Sequence, residues 1–535
     1  MLHDNLILIL VLLLGVTLLV MVGQKIKISY PIFLVLAGLL IGFIPGIPNI
    51  KIDPDIVFLL FLPPLLYEAA WFTSWKDFWE YKGAIFLMAV GLVFITSVAV
   101  AYASVAFIPG FTLALGFLLG GIVSPPDAVA AAAVLKGMKI PKVVSSLLEG
   151  ESLVNDASSL IVFKFALATV VSGTFVIQDA AVSFVTVAGL GILIGLVIGG
   201  IFYLIHRFLP TTDNIDTVLT LLTPYFMYII AEHFEVSGVM AVVSGGLLLS
   251  SQSHIILTSN SRVKTVNVWS SLIFMLNGVV FILIGLALPD IVNGLGPDYP
   301  IGKAIGYGFG ISVLALIVRS LWLVSTAQIT LLFNKKTRVR YRDMTWHSYV
   351  VIIYAGMRGV VSLAAALSIP VMISDSVAFP LRNLILFITF VVIFITLVLQ
   401  GLTLPFVIKL LKIPEAKSKL SEQEQTDQIK LKLIDLSLDK LNADYQHQCT
   451  HNELMVNLKA ELHHSLKEKK DNIQAFKRGE INKEDLKAYQ EIVLTLIKIQ
   501  RDELHHLKSN KNYDDEVIRK EEWRLDLEEL SVTSS

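Results

Sequence analysis

Long apolar runs separated by short polar segments fill the first three quarters of the chain. A helix that spans a membrane needs about 20 mostly apolar residues, so each such run predicts one transmembrane helix. The predicted spans are residues 6–22, 30–47, 56–73, 83–107, 111–135, 143–171, 180–206, 217–234, 236–250, 267–289, 304–333, 345–370 and 383–408. Their continuity excludes a transmembrane β-barrel, whose strands show short alternating segments. The pattern predicts an all-α integral membrane protein with about 13 transmembrane helices; the second and ninth runs are short, so twelve remains an alternative.

The last part of the chain follows a different pattern. The apolar runs stop after residue 408, and residues 421–445 and 452–508 instead show helical periodicity with many charges. The final 123 residues carry 45 charged side chains, whereas the first 412 residues carry 42. We therefore predict two domains, a transmembrane domain at 1–412 and a water-soluble charged helical tail at 413–535.

Composition agrees with a membrane protein. Of the 535 residues, 55% are hydrophobic and only 16% are charged, whereas soluble proteins carry about 25% charged residues. An ordinary soluble enzyme and a disordered chain are both excluded. The single cysteine excludes a disulfide framework and zinc sites built from several cysteines.

Lysine and arginine are unevenly distributed among the loops between the predicted spans. Alternate loops carry fifteen of these residues on one side and three on the other. The larger set comprises Lys25, Lys27, Lys76, Lys82, Lys136, Lys139, Lys142, Arg207, Arg262, Lys264, Lys335, Lys336, Arg338, Arg340 and Arg342, and the smaller set Lys51, Lys303 and Arg382. Because cytoplasmic loops carry the excess of positive charge, we predict a multi-pass protein of the cell (inner) membrane. Its N-terminus would lie outside and its tail in the cytoplasm.

A small set of ionisable side chains falls inside the apolar runs. These residues are Glu68, Asp127, Glu149, Glu151, Asp156, Lys164, Glu232, Arg319 and Arg358. Each costs about 2.5–3.5 kcal/mol near the centre of a spanning helix, so each indicates an ion or proton path or a paired charge. A structural role explains Lys164 and Arg319 at least as well as a functional one. For Asp127 and Asp156 the surrounding sequence favours an ion path.

Asp127 follows two consecutive prolines in the middle of the fifth span, in the segment Ser124-Pro125-Pro126-Asp127. Proline lacks an N–H group and clashes with the preceding turn, so the helix should break there and leave carbonyl oxygens free. Broken helices at membrane depth are tolerated only inside protein or beside a water-filled cavity. In transporters such breaks form the ion site.

The sixth span contains four polar residues at helical spacing. Ser152 and Asp156 are four residues apart and share one face, while Glu151 and Asn155 share the adjacent face. Ser152 and Asp156 can therefore present oxygen atoms in one direction, and Glu151 faces a different partner. Oxygen ligands are those that hard cations such as Na⁺ prefer.

Two further interruptions accompany these residues. Glu68 follows Pro63-Pro64 in the third span, and Arg358 lies between two glycines in the twelfth span. The fifth span is the fifth of the first six, and the twelfth span is the fifth of the last six. Interruptions at corresponding positions of two halves indicate a transporter binding site.

These motifs resemble the monovalent cation:proton antiporter-1 family, and above all its bacterial branch. The segments that carry the resemblance are FLPPLLYEAA at 61–70, SPPDAVAA at 124–131, EGESLVNDA at 149–157, AEHFEVSGVMAVVSGGL at 231–247, LNGVVFILIGL at 276–286 and GMRGVVSLAAAL at 356–367. The resemblance covers roughly residues 5–412. It implies two inverted six-helix repeats, a homodimer, and a core domain that moves against a dimerisation domain.

The resemblance also implies roles for individual residues. Na⁺ would bind at Asp127, Ser152 and Asp156, with Glu68 close by and the backbone carbonyl of Pro126 contributing. Asn155 would orient the site, and Glu151 would form a structural ion pair with Arg358. Many relatives have Ser-Pro-Thr-Asp-Pro where this chain has Pro126 and Ala128 around the aspartate, which removes a threonine hydroxyl but keeps the carbonyl.

The function that follows is secondary active transport by alternating access, not enzymatic catalysis. Na⁺, Li⁺ or K⁺ would exchange for H⁺ across the cell membrane without any cofactor, and pH and sodium homeostasis would be served. At a dipeptide that varies within the family, this chain has Asn155-Asp156 and not two aspartates. The resemblance therefore implies electroneutral exchange. A K⁺/H⁺ antiporter and a cation channel remain alternatives. The partners would be monovalent cations, protons, the lipid bilayer and a second copy of the chain, with no nucleic acid.

Other chemistries fit the sequence poorly. An intramembrane aspartic protease would need Gly-x-Gly-Asp, and the nearest string, at residues 294–298, is wrong. A serine protease built on Ser244 and His254 lacks a nucleophile motif. In the tail, His447, Cys449 and His451, together with the pairs His463-His464 and His505-His506, suggest metal binding or pH sensing, but solvated helix residues are the commoner explanation. A regulatory role for the tail is a hypothesis.

Overall fold

The computed structural model describes residues 2–26, 28–44, 57–135, 138, 140–173, 177–295, 299–333, 344–374, 377–411, 422–478, 483–508 and 515–533. Several loop cations of the sequence analysis lie outside these residues, namely Lys27, Lys51, Lys136, Lys139, Lys335, Lys336, Arg338, Arg340 and Arg342. Residues 296–298 of the protease-like string also lie outside them. The chain divides into two compact units, Met1–Ala416 and Lys417–Ser535, and each is described by itself.

The first unit is built almost entirely of helices. They are α1 (Leu2–Ile26), α2 (Tyr30–Gly42), α3 (Leu62–Phe72), α4 (Trp75–Phe86), α5 (Val93–Phe107), α6 (Leu113–Val123), α7 (Ala128–Leu135), α8 (Lys142–Ser172), α9 (Ile177–Phe208), α10 (Asp213–His233), α11 (Gly238–Ile256), α12 (Ser259–Leu286), α13 (Leu288–Asn293), α14 (Ile301–Phe333), α15 (Trp346–Tyr354), α16 (Val360–Leu367), α17 (Arg382–Phe394) and α18 (Gly401–Leu411). π-Helical turns at Val57–Phe61, Leu87–Leu92 and Ile395–Gln400 precede α3, join α4 to α5, and join α17 to α18. A short antiparallel hairpin, β1 (Met372–Ser374) and β2 (Val377–Ala378), pairs Met372 with Ala378.

Within the described residues, nine helical stretches are long and apolar enough to cross a membrane. Three predicted spans, 30–47, 56–73 and 111–135, correspond to shorter apolar helices. The predicted span 345–370 is divided between α15 and α16. Together these elements account for the thirteen predicted stretches, and the all-α membrane fold is confirmed.

Local sequence explains where many of these helices begin. The side chains of Ser74, Thr112, Thr212, Ser237 and Thr258 each accept a hydrogen bond from a backbone N–H in the first turn of α4, α6, α10, α11 and α12. Serine and threonine are favoured at this position because they satisfy N–H groups that have no partner within the helix. At the other end of α8, Gly173 has a φ of 74° and terminates the helix in the left-handed region.

Small residues allow the helices beside the site to approach closely. A side chain on Gly285 of α12 would lie 2.5 Å from the backbone nitrogen of Leu39, and Gly38 of α2 lies directly against the carbonyl of Ile282. Such contacts are the main source of helix association in membranes, where the hydrophobic effect between helices is weak. α2 and α12 therefore form a tightly packed pair.

The second unit consists of α19 (Glu422–Asp444), α20 (Gln448–His451), α21 (Glu453–Arg478), α22 (Lys483–Lys508) and α23 (Asp515–Thr533). Arg501 joins α22 to α23 through Asp526 and Glu529, at 2.7 and 2.6 Å. The His447 and His451 rings stack with centroids 4.3 Å apart. Among the described residues, no group of three or more His, Cys, Asp or Glu side chains is arranged to hold a metal ion.

Candidate ion-binding site

Two interrupted helices meet at the centre of the candidate site. One is α6–α7, broken at residues 124–127, and the other is α15–α16, broken at residues 355–359. The prolines explain the first break, because Pro125 and Pro126 cannot donate helical hydrogen bonds. The two breaks contact each other directly, since the backbone N–H of Asp127 donates to the carbonyl of Met357 at 2.6 Å.

Asp127 lies at the N-terminal ends of two half-helices. Its Oδ1 accepts from the backbone N–H groups of Val129 at 2.8 Å and Ala130 at 3.2 Å, in the first turn of α7. The backbone N–H of Val360, at the start of α16, also donates to this carboxylate. A negative charge is favourable at helix N-termini because the helix dipole is positive there. Asp127 thus satisfies polar groups of both breaks.

Arg358 lies at the opposite, C-terminal ends. Its Nε donates to the carbonyl of Val123 at 3.0 Å, which ends α6, and a second guanidinium nitrogen donates to the carbonyl of Gly356, just beyond α15. Its backbone N–H donates to Thr396 Oγ1 at 3.0 Å. A positive charge is favourable at helix C-termini. The two breaks are therefore held by one aspartate and one arginine.

The predicted ion pair between Glu151 and Arg358 is wrong. Glu151 instead forms a bidentate pair with Arg319 of α14, with N–O distances of 2.5 and 2.7 Å, and both side chains are 1% exposed. Arg319 Nε also donates to the carbonyl of Ile352 at 3.1 Å. The physical reason is that the carbonyls of the half-helices already engage the Arg358 guanidinium, so the carboxylate of Glu151 pairs with the other buried arginine.

We call the place where the two breaks contact each other the crossing. A cavity of about 50 Å³ lies beside it. It is lined by the polar residues Asp127, Ser152, Asp156, Asn277 and Ser362, by Pro125, Pro126 and Gly359 of the two breaks, and by apolar residues of α3, α7, α8 and α16. Asp156 is 9% exposed and lies within electrostatic range of Asp127. A cavity of this size exceeds the roughly 10–15 Å³ that one water molecule requires. Asp127, Ser152, Asp156 and Pro126, all predicted from sequence, are thus brought to one place.

The two remaining predicted residues lie at the edge of this arrangement. Asn155 is fully buried, and its Nδ2 donates to the carbonyl of Pro126 at 3.0 Å. That contact ties α8 to the first break. Glu68 does not line the cavity, although Leu65 and Ala69 of the same helix do. Glu68 lies near Tyr30, whose hydroxyl is within electrostatic range of both Glu68 and Asp127.

Two other charges of the apolar runs pair away from the cavity. Lys164 Nζ donates to both oxygens of Glu232, at 2.8 and 3.1 Å, and joins α8 to α10. Glu232 also accepts from the backbone N–H of Gly238 at 3.3 Å. Ser244 donates to the carbonyls of Ile192 and Ala241, contacts that occupy its hydroxyl within the helix packing.

Sequence reasoning did not find three features of this region, namely the partner of Arg319 and the cavity-lining residues Asn277 and Ser362. Arg319 was recognised as an intramembrane charge, but its partner was not, because 168 residues separate it from Glu151. Asn277 and Ser362 line the cavity but are not among the predicted residues, although they lie within LNGVVFILIGL and GMRGVVSLAAAL, two segments that carry the family resemblance. An uncharged polar residue in an otherwise apolar run was the available signal.

Comparison with known proteins identifies the family to which the chain belongs. Residues 9–410 match the family model described as "Sodium/hydrogen exchanger, transmembrane". A sodium, potassium, lithium and rubidium/proton antiporter of Bacillus subtilis is 36% identical over 71% of this chain and 57% of its own length. The chain thus spans less than two thirds of that relative. An uncharacterized Na⁺/H⁺ exchanger of Escherichia coli is 29% identical over 94% of this chain and 93% of its own.

A solved structure shares the fold. The sodium proton antiporter MjNhaP1 from Methanocaldococcus jannaschii, determined at pH 8, superimposes with a TM-score of 0.62 at 18% sequence identity. The superposition covers 77% of this chain and 99% of that one. The family match over most of the transmembrane unit is the decisive finding, and the chain belongs to the sodium/hydrogen exchanger family of membrane transporters.

Proposed function

We propose that this chain exchanges Na⁺ for H⁺ across the cell membrane by alternating access, and that the exchange is electroneutral. The observation that carries the proposal is the convergence of Asp127, Ser152 and Asp156 on one small cavity at the crossing of two broken helices. Membership of the exchanger family supports it.

Competition for the carboxylates explains the coupling. Two carboxylates in a poorly solvated site cannot both remain ionised at low cost, because desolvation and like-charge repulsion favour the protonated form. A bound cation has the opposite effect and displaces a proton. Since the site holds either H⁺ or Na⁺, each passage of the site from one side to the other couples the two fluxes.

The proposed roles follow from position. Asp156 and Asp127 bind the cation or the proton, and the Ser152 hydroxyl and the Pro126 carbonyl supply neutral oxygen ligands. Asn155 orients the Pro126 carbonyl through the 3.0 Å hydrogen bond. Glu68 lies close by on the helix that contributes Leu65 and Ala69 to the cavity, and the Glu151–Arg319 pair has a structural role.

The range of cations is a separate question. The Bacillus subtilis relative is named for sodium, potassium, lithium and rubidium, which keeps K⁺/H⁺ exchange as the principal alternative. Oxygen-only ligands suit each of these ions. Rates measured with Na⁺, Li⁺ and K⁺ in turn on purified protein would establish the preference.

Reconstituted protein tests the proposal. In proteoliposomes that contain a pH dye, an inward Na⁺ gradient should alkalinise the lumen, and imposed membrane potentials should leave the initial rate unchanged. Asp156→Asn should abolish this proton movement while the protein stays folded. Cation flux that follows the potential without coupled proton movement would identify a channel instead.

Cellular context completes the proposal. The uneven loop charges support an inner-membrane protein with the N-terminus outside and the tail at 413–535 in the cytoplasm. We further propose that residues 1–412 form the antiporter domain of a homodimer, that the tail regulates it, and that the exchange serves pH and sodium homeostasis.

A further inference from the structure

Asn277 of α12 is a buried polar residue that no role yet explains. Its side chain is 2% exposed, and among the described residues its Oδ1 has no hydrogen-bond partner. Leaving a buried amide oxygen unpaired is unfavourable, and proteins rarely retain such a group without a reason. A ligand that binds at this position would supply the missing partner.

The position of Asn277 indicates which ligand that is. Asn277 lines the same cavity as Asp127, Ser152 and Asp156. Those three residues lie on α8 or at the break of α6–α7, whereas Asn277 lies on an unbroken helix that packs closely on α2. α12 therefore contributes a neutral amide to the lining of the cavity that also holds the two carboxylates.

Tyr30 of α2 is a polar neighbour of Asn277. The Asn277 side chain lies within interaction range of the Tyr30 hydroxyl. Because Asn277 Oδ1 has no hydrogen-bond partner among the described residues, it is the amide atom available to an occupant of the cavity. A carbonyl-type oxygen suits a hard cation and repels no positive charge.

We propose that Asn277 Oδ1 is a further cation ligand, contributed by α12, and that it helps to set cation affinity and selectivity. The inference rests on the proposed exchange at Asp127 and Asp156. An uncharged amide cannot bind the transported proton in place of a carboxylate. Asn277 therefore contributes to cation binding, whereas proton binding is carried out by the aspartates alone.

Substitutions at this position separate affinity from turnover. Asn277→Leu removes the oxygen at similar volume, so the half-saturating Na⁺ concentration should rise about tenfold, as for the loss of one ligand interaction. The maximal rate at saturating Na⁺ should stay within about threefold of the wild type, and the relative rates with Na⁺, Li⁺ and K⁺ should change. Asn277→Asp keeps an oxygen and adds a charge. Its half-saturating Na⁺ concentration should fall at high pH and rise more steeply than in the wild type as the pH is lowered.

Gln400 provides a matched control. It is also a buried amide whose Oε1 has no hydrogen-bond partner among the described residues, but it lies outside the lining of the cavity. Gln400→Leu should leave cation affinity and selectivity unchanged, so a change at Asn277 alone reports on the site and not on packing.

Proteoliposome assays of these variants and of Asp156→Asn distinguish the outcomes. If Asp156→Asn abolishes exchange while Asn277→Leu and Asn277→Asp both keep wild-type cation dependence, the inference is overturned and the proposed function stands. If Asn277→Leu fails to fold, an unaltered cation and pH dependence in Asn277→Asp overturns it equally. Undiminished exchange in Asp156→Asn would overturn the proposed function and this inference with it.

Discussion

At the scale of single residues, buried charge is the dominant feature of the transmembrane unit. Some of these charges are satisfied by partners within the protein, whereas another faces the cavity. Glu151 and Arg319 neutralise each other through two short hydrogen bonds, and Asp127 is held by backbone N–H groups of two half-helices. Asp156 is different, because it faces a cavity and the charge of Asp127. Of these carboxylates, Asp156 is therefore the one best placed to exchange a bound proton for a cation.

The reassigned ion pair makes a prediction about stability. Arg319→Met leaves the Glu151 carboxylate buried without a counter-charge, and breaking a buried pair in this way costs about 3–5 kcal/mol. We expect a marked fall in the melting temperature of the detergent-solubilised protein. Adding Glu151→Gln should recover much of the loss, because it removes the uncompensated charge.

The control for this prediction is a pair at the start of α8. Lys142 lies 2.8 Å from Asp77 and is 79% exposed, and exposed pairs contribute about 0–1 kcal/mol. Lys142→Met should therefore leave the melting temperature nearly unchanged. If the melting temperature of Arg319→Met equalled that of the wild type, the assignment of Arg319 as the partner of Glu151 would be contradicted.

At the scale of elements, the crossing of α6–α7 with α15–α16 organises the site. The two breaks expose carbonyls at one pair of ends and N–H groups at the other, and Arg358 and Asp127 satisfy them. Gly359 permits the close approach, because a side chain there would overlap the carboxylate of Asp127. The geometry of the site thus depends on backbone positions as much as on the ligands.

Gly359→Ala tests the closeness of this crossing. A methyl group would displace Asp127 or separate the two breaks, and misplacement of a reacting group by about 1 Å can cost about 100-fold in rate. We expect a loss of exchange of that order in proteoliposomes. Gly189→Ala, where the added carbon meets nothing within 4 Å, should retain normal exchange; equal rates for the two variants would argue against a tight crossing.

Arg358 makes a second prediction at this scale. Arg358→Gln removes the positive charge from two helix C-termini and leaves buried carbonyls unsatisfied, at about 1–3 kcal/mol for each lost partner. Both the melting temperature and the exchange rate of the folded protein should fall. Arg382 serves as the control, since it also donates to two carbonyls, those of Ile369 and Leu367. If Arg382→Gln reduced exchange as much as Arg358→Gln, the special role of the crossing would be refuted.

The breaks were predictable, but their partners were not. Pro125-Pro126 and the glycines around Arg358 carry a local signal, because proline and glycine act on the backbone within one turn. The same holds for Ser152 and Asp156, which share a face by helical spacing alone. Whether Glu151 meets Arg319 or Arg358 depends on how α8, α14 and the second break pack, and periodicity contains no information about that. Asn277 was not predicted either, because periodicity does not show that α12 packs beside the cavity.

At the scale of the whole molecule, the chain consists of two units of different chemistry. All the residues that line the cavity lie between residues 62 and 362, within the unit Met1–Ala416. The charged helices of the second unit form their own contacts, such as the Arg501 pairs. We therefore expect the ion chemistry to reside in the first unit.

Removal of residues 421–535 tests this division. Since every candidate ligand lies in the first unit, we expect the truncated chain to retain Na⁺/H⁺ exchange, measured in proteoliposomes over a range of pH. A regulatory tail predicts that the pH profile of exchange will shift. A profile identical to that of the full chain would argue against regulation, and loss of exchange in a folded truncation would show that the tail is needed for transport.

Proton release on cation binding tests the central claim most directly. NaCl is added to the purified protein in weakly buffered solution with a pH indicator, and choline chloride serves as the ionic-strength control. If Na⁺ and H⁺ compete for Asp156 and Asp127, the wild type should release protons in step with Na⁺ binding, and Asp156→Asn should release none beyond the choline control. Wild-type protein that binds Na⁺ without releasing protons, or equal release from Asp156→Asn, would contradict the account.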